Sequence, residues 1–578
     1  MPFGNNDQPS TKNVLIALVA FAMFMFAYNY FFGDQNGQVP HNTASQTVSP
    51  EQAAESKDDE FDANCDGHPL TVTESLSKNS RIRFENGKIS GSVDLVGGIV
   101  DELSLKEYKE TTDVDSSNVM LLNPKGTNSE SYYAISYKDK THDELISNET
   151  VWTKTDSTER SVTIRTQTQN GMIIERTIVI DDGYLISIKD KVINVSDKNL
   201  MISVASNLVR VNPNHANYAV VHDGIVGHFD GSVDEIKYSN IHGETVVDTC
   251  DWVGYTDIYW LTALINKNKN MSVSYVKSGD DSYKCSTHSK KDIKVTPNSV
   301  AEISYLIFAG PKDIKILNEY AARLDLPKFE MSIDFGWFFM LTKPLLYFLG
   351  LLGQILPNMW LVILVLTLLF KILTFPLMQK SFKSAAKMRE LQPKLASIQK
   401  LYANDKPRMN QEVVALYKKE KASPMSGCFP MLLQAPIFFC LYKVFFISID
   451  MRHAPLFGWI HDLSAPDPVY IFNLFGFIDW TPPGFLRIGV WPLIMGITMI
   501  LQQKLSSGMS GKNPTAEKTT EMKMQENMML IMPVLFTYIC ASFPVGVVIY
   551  WTISNLFTIA QQYYANSGMP NLGVRRKK

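Results

Sequence analysis

The sequence is poor in anything that makes or breaks bonds. Its six cysteines, Cys65, Cys250, Cys285, Cys428, Cys440 and Cys540, are scattered, with no CxxC pair and no Cys/His cluster. That argues against a structural zinc site. Three of them fall in polar sequence, where a Cys250–Cys285 bridge stays open as one possibility. No GxxxxGK[ST] loop exists, since Gly511-Lys512-Asn513 lacks both the hydroxyl residue and the upstream glycine. HExxH and GxSxG are missing too. These absences speak against ATP hydrolysis and intramembrane proteolysis, and we expect no enzyme activity, catalytic residue, metal or cofactor.

A uniform charge distribution is also lacking. Residues 33–334 carry 30 Lys and Arg against 46 Asp and Glu, a net of −16. With −3 for all 578 residues, the remainder carries +13. The hydropathy divides at the same place, polar over Gly33–Asp334 and apolar over Phe335–Tyr564. Such asymmetry places the two parts on opposite sides of a membrane.

The apolar runs give a topology. Val14–Phe32 is about long enough to span a bilayer, and no small-x-small site follows it. It reads as an uncleaved signal anchor within residues 1–33. A polar linker, 34–69, precedes a β-patterned region from about Leu70 to Leu317. There Tyr184, Ile186, Ile188 and Val192 keep one parity while Ser187, Lys189 and Lys191 keep the other. Neighbouring runs, Val162–Thr166 and Met172–Ile180, are bounded by Gln-Asn-Gly and Asp-Asp-Gly turns. A large antiparallel β-sandwich over 70–330 is the expectation. Residues 331–357 read as an interfacial amphipathic helix. Spans follow at Met359–Met378, Cys428–Ile449, Leu486–Gln503, Asn527–Phe543 and Val545–Tyr564, so 358–566 holds five helices, six with the anchor. The loop 380–427 carries 11 Lys and Arg against 4 Asp and Glu, the tail 567–578 ends in Arg575-Arg576-Lys577-Lys578, and Asp450–Phe485 has Arg452 as its one basic residue. The positive-inside rule then puts both termini and the 380–427 loop in the cytoplasm and residues 34–334 outside. The fold class is therefore a polytopic α-helical membrane protein with a large extracytoplasmic β-sandwich.

Polar residues inside the spans carry what chemistry there is. Lys371 interrupts a run of ten apolar residues and one threonine. A mid-span cation costs about 2.5–3.5 kcal/mol on insertion scales, so it marks either a site or a side chain that snorkels to the interface. Thr367 lies one turn earlier on the same face. Gln434 lies in the third span, and Tyr550, Trp551, Ser554, Asn555 and Gln561 in the last, at helical spacings. They serve as interhelical hydrogen bonds or as the lining of a groove. Lys443, near the outer end of its span, reads as an interface anchor. In the 380–427 loop, Ala385, Met388, Leu391, Leu395, Ile398 and Leu401 recur at spacings of three and four. Asp405 and Pro407 open a second helix that Ser423-Pro424 closes. This basic hairpin suits anionic lipid or a nucleic-acid partner such as a ribosome, or is simply solvated.

Several segments resemble the YidC/Oxa insertase family. They are Lys380–Pro393, Gly427-Cys428-Phe429-Pro430, Gln434-Ala435-Pro436-Ile437-Phe438, Trp459–Ser464 and Phe543-Pro544-Val545-Gly546, together with Gly97-Gly98-Ile99 through Tyr108 and Asp334-Phe335-Gly336-Trp337. The resemblance implies an inner-membrane insertase and chaperone. Its five-helix core would hold a positively charged groove open to cytoplasm and lipid. It implies that Lys371 is the groove cation, where arginine is usual, and that Thr367 and Trp551 contact substrate beside Gln434, Tyr550, Ser554 and Asn555. The implied partners are nascent membrane proteins, the lipid bilayer, a Sec-type translocon and, through 380–427 and the basic tail, a ribosome. An anion channel or transporter is the alternative that the intramembrane cation leaves open. Phe472–Gly489 looks like an insertion relative to the family, without an assigned role.

Overall fold

A computed structural model of the chain describes residues 69–139, 144–168, 170–213, 221–267, 271–279, 281–402, 404–420, 429–478, 480, 482–507 and 531–566. The expected anchor Val14–Phe32, nearly all of the 34–69 linker, the Ser423-Pro424 stop, the Gly427-Cys428 pair and the tail 567–578 lie outside the described residues. The chain divides into two compact units between Asp334 and Phe335.

Period-two alternation builds the first unit. Strand Leu185–Asn194 pairs antiparallel with Met172–Ile180 on one side and Val300–Pro311 on the other, with Ile188 opposite Ile178 and Tyr305. Tyr184, Ile186, Ile188 and Val192 are buried, and Lys189 is exposed. Among the described residues one sheet has 11 strands, including Arg81–Glu85, Ile99–Lys109, Ser131–Lys138 and Leu200–Val211. The other has nine, running in space from Ser232–Lys237 to Thr153–Ser157. The sheets face each other, since the Tyr255 hydroxyl of the second donates to the Leu208 carbonyl of the first at 3.3 Å.

The buried parity also carries a charge. Asp190 is 0% exposed and sits directly opposite Arg176 in the ladder. Arg176 Nε and Nη2 donate to its two carboxylate oxygens at 2.9 and 2.8 Å, and Nη1 donates to the Gly98 carbonyl at 2.9 Å. The Tyr137 hydroxyl, from the facing sheet, donates to the same carboxylate at 2.5 Å, and Trp152 lies under the guanidinium at 4.7 Å. Every oxygen of the carboxylate is thus engaged, which is the condition for holding a charge pair in a core.

Cys250 and Cys285 are buried free thiols, so the bridge left open by the sequence is not formed. Burial pushes the Cys285 thiol up to about 12 and the Cys250 thiol higher still, and both stay protonated and inert.

The β region ends earlier than the sequence pattern suggested. The last strand stops at Pro311, and Ile314–Leu324 is a helix. Asp313 caps it by accepting the Lys315 and Ile316 N–H groups at 2.7 and 3.1 Å, while Ile314, Leu317 and Tyr320 bury one stripe. With the short Val72–Lys78 helix as α1, it is α2.

The second unit is helical: α3 is Phe339–Ile355, α4 Met359–Leu401, α5 Lys406–Lys419, α6 Phe429–Ile447, α7 Val490–Ser507, α8 Ile531–Cys540 and α9 Val545–Asn566. The expected interfacial helix begins only at Phe339, because Ile333 is extended and Gly336 takes φ +69°. It is also apolar on both faces rather than amphipathic. Leu346 and Leu349 pack inward, Phe339, Met340, Leu341, Leu351 and Ile355 face outward, and Lys343 is its single charge. Helix α4 merges the expected span Met359–Met378 with the first helix of the basic hairpin into 43 continuous residues, with Pro376 and Pro393 inside it. Asp405 caps α5 by accepting the Arg408 N–H at 3.1 Å, as the Asp-x-Pro pattern indicated, and Lys394 bonds Glu420 at 2.8 Å across the hairpin. Helix α9 packs against α4, α6 and α7, and is buried from Val545 to Tyr550. Among the described residues, Met359–Ser384 is long and apolar enough to cross a membrane, and Phe339–Ile355, Gln434–Ile447 and Ile531–Cys540 are apolar but shorter.

Candidate functional site: an enclosed cation

Helix α4 directs Lys371 into the helical unit, where it is 7% exposed. Its Nζ donates to Thr558 Oγ1 of α9 at 2.9 Å. Thr558 in turn donates to the Ser554 carbonyl at 2.8 Å. The segments 359–384, 429–447, 490–507, 531–540 and 545–566 contain no Asp or Glu. A buried ammonium normally sits beside a carboxylate, because desolvation costs several kcal/mol when no counter-charge repays it. Here a neutral hydroxyl is its hydrogen-bond partner among the described residues, and the charge is not neutralised locally.

The other expected site residues separate into distinct contacts. Thr367 lies one turn before Lys371 and is buried, but its Oγ1 donates to the Ile363 carbonyl of its own helix at 2.7 Å. Gln434 Nε2 donates to the Tyr550 hydroxyl at 2.9 Å, linking α6 to α9, and Ser554 bonds the same hydroxyl. Trp551 packs among aromatic rings, its centroid 4.4 Å from Phe438 of α6 and 5.4 Å from Phe536 of α8. Asn555 Nδ2 donates to Thr498 Oγ1 of α7 at 3.0 Å. The structure therefore brings Lys371 and Ser554 together through Thr558, and Gln434 with Tyr550. Trp551 lies between α6 and α8, and Asn555 against α7.

Lys443 lies near the end of α6, but its side chain is buried, with its stem beside Gly336. It does not lie exposed at the surface as an interface anchor would.

Thr558 and Thr498 were not singled out in the sequence, and Phe438 entered there only within a motif. Thr558 was legible in principle, since Tyr550, Ser554 and Thr558 fall at i, i+4 and i+8 on one helical face. Two further polar atoms, Gln379 Nε2 and Gln561 Oε1, are buried without a hydrogen-bond partner. Such atoms cost roughly 1–3 kcal/mol each if left dry. The assembly presents a fixed positive charge and polar atoms within apolar helices. It can attract and hold an anionic group.

Comparison with known proteins agrees with both units. Residues 81–348 match a family model described as the YidC periplasmic domain, and residues 351–572 match one described as the 60Kd inner membrane protein. A membrane protein insertase YidC of Rickettsia akari (strain Hartford) is 36% identical over 570 residues, covering 96% of this chain and 98% of that one. Among solved structures, an active YidC insertase crystal structure is 15% identical with a TM-score of 0.36, covering 84% of this chain and 92% of that one. A galactose mutarotase related enzyme from Lactobacillus acidophilus is 7% identical with a TM-score of 0.30, over 40% of this chain and 97% of the other. A relative of matching length that shares more than one residue in three, and family models that between them reach from the first strand into the last helix, make this chain a member of the YidC family of membrane protein insertases.

Proposed function

We propose that the chain inserts newly made membrane proteins into the bilayer by drawing their acidic tails toward Lys371, whose enclosed and locally unneutralised charge is the observation that carries the reading. In this reading the chain has six spans, Val14–Phe32 and five in 358–566, with both termini cytoplasmic, residues 34–334 periplasmic and the protein in a bacterial inner membrane. The groove comprises Lys371, Thr367, Gln434, Tyr550, Trp551, Ser554 and Asn555, with Thr558 added as the residue that orients the cation. The apolar segment of a substrate supplies the driving force, some −0.3 to −0.6 kcal/mol for each Leu, Ile, Phe or Val. The polar tail sets the barrier. An ammonium close to a carboxylate, in surroundings of lower dielectric than water, offsets part of that barrier. No nucleotide hydrolysis is required.

The α4–α5 hairpin and the basic tail would meet a ribosome or substrate on the cytoplasmic side, and a Sec-type translocon would be a further partner. The basic character of the hairpin and its opening directly from the span that carries Lys371 support this assignment. Deleting α5 should leave the protein level normal and lower insertion.

The test of the main reading is reconstitution in liposomes with matched substrates that differ only in tail charge. Lys371→Arg should be close to the parent, and Lys371→Glu strongly defective. Lys371→Ala should lower insertion of the acidic-tailed substrate by about tenfold, the equivalent of roughly 1.4 kcal/mol, and spare the neutral one. An alanine variant equally active on both tails would remove Lys371 from the mechanism.

A further inference from the structure

The connection between α6 and α7 contains a stretch whose composition the insertase reading does not use. It lies at the end of the helical unit away from the α4–α5 hairpin, because Phe457 packs 6.1 Å from Trp360, the second residue of α4, and 6.5 Å from Trp491, the second of α7. These rings, with Trp459 held by Asp467 at 3.1 Å, form an aromatic girdle where the apolar helices begin. Trp and Tyr collect at such a level because their rings suit the interface between headgroups and hydrocarbon.

From this girdle a closed loop projects. Tyr470 bridges Gly489 at its neck, and Ile471 N–H donates to Ile488 at 3.1 Å. Beyond the neck, Phe472, Leu474, Phe475, Phe477, Ile478 and Trp480 all expose their side chains, Phe477 by 91%. Water is a poor solvent for such a patch. Much of the backbone, in contrast, is paired internally. The N–H groups of Leu474 through Gly476 donate to Ile471, Tyr470 and Asn473, and those of Phe477, Ile478 and Trp480 to Leu474, Asn473 and Ile478, at 2.8–3.2 Å. Leu474 and Phe475 take left-handed φ values of +49° and +62°, which non-glycine residues rarely adopt. The chain accepts this bend and turns apolar side chains outward while the N–H groups of 474–478 and Trp480 stay paired. Pairing of backbone groups is what a low-dielectric environment demands and what a hydrated linker does not need.

We infer that residues 470–478 and Trp480 form a wedge seated in the lipid interface at this end of the protein, continuous with the aromatic girdle. The occupant of the apolar patch is lipid, not protein. Its base begins at the level where the helices leave the hydrocarbon, and its side chains match the interfacial aromatic composition. From Phe472 to Leu486, Asp479 is the single charged residue, so nothing in the loop's charge selects a protein partner.

The full chain in phosphatidylethanolamine/phosphatidylglycerol vesicles provides the test. Phe477→Cys carries an environment-sensitive fluorophore, with Cys65 and Cys428 replaced by serine; the four remaining cysteines are buried. Phe477 is almost fully exposed, so the substitution removes no packing. Lipid with a nitroxide near the headgroup should quench the probe at least about twofold, as expected for an interfacial side chain, while aqueous iodide should have little effect. A Val114→Cys probe in the first unit, at a position 88% exposed, should show the reverse. Iodide quenching of the Phe477 probe equal to that of the Val114 probe would overturn the inference. Protection of the Phe477 probe from both quenchers would overturn it too, because the loop would then be seated on protein.

Discussion

The Thr558 hydroxyl lies 2.9 Å from the Lys371 ammonium, 187 residues apart in sequence, and among the described residues it is the hydrogen-bond partner that fixes where the charge points. Thr558→Val keeps the shape and removes the acceptor. It should destabilise the bundle by about 1–3 kcal/mol when Lys371 is present, the cost of a buried donor left unpaired, and by far less in a Lys371→Met background. Unfolding in mixed detergent micelles measures both. Equal costs in the two backgrounds would show that the contact does not matter energetically.

A second cycle addresses the α7–α9 seam. Asn555→Leu and Thr498→Val each break the 3.0 Å bond between them. Their coupling should be about 0.6 kcal/mol and no more than roughly 1.7, the range for hydrogen bonds between membrane helices. A coupling of zero would assign Asn555 to the groove rather than to the seam.

In the sandwich, Arg176→Met or Asp190→Asn alone should cost about 3–5 kcal/mol, because each leaves a buried charge or its donors uncompensated. The double variant Arg176→Met/Asp190→Leu should recover most of that loss. Hydrogen exchange of the strands Met172–Ile180 and Leu185–Asn194 reads the outcome strand by strand. A double variant as damaged as the sum of the singles would mean that the pair does not act as a unit.

Acid should loosen the same unit. Burial pushes the His222 imidazole down to about 4, against a backbone hydrogen bond to Ile225 that raises it, and burial also lowers His288. The unfolded chain therefore binds more protons than the folded one between about pH 6.5 and pH 4. Stability from His222 is complete above its unfolded value and is lost as the pH falls through this window, by at most about 3 kcal/mol. His222→Gln should flatten the pH dependence of exchange protection between pH 4.5 and 7. An unchanged slope would exclude this histidine.

Strand parity, helix caps and the positive loop were legible in the sequence because each is a local rule. Ile186 and Ile188 read as inward-facing and are; Asp405 read as a helix start and is. The pattern failed where a residue's role is set by a partner far along the chain. Asp190 occupies a buried parity position as a charge, which a binary apolar pattern passes over, and only the ladder reveals Arg176 opposite it. The expected seven-residue groove set shared one property, polarity within a span. Polarity does not say whether a hydroxyl such as that of Thr367 is consumed by its own helix or offered to a neighbour.

Helix α4 has a mechanical side. From Ser384 to Leu401 it extends about 26 Å beyond its most apolar portion, at 1.5 Å per residue, with Pro393 as a second weak point nearer the tip. Pro376 deletes one rung of its hydrogen-bond ladder five residues past Lys371, which makes that turn the compliant joint. Measured from Pro376, the tip at Leu401 lies about 37 Å away, so tilting by about 10° about such a joint sweeps it through roughly 6 Å. A load on the hairpin therefore acts as torque on the turn beside the ammonium, and the same proline that weakens the helix sets the fulcrum.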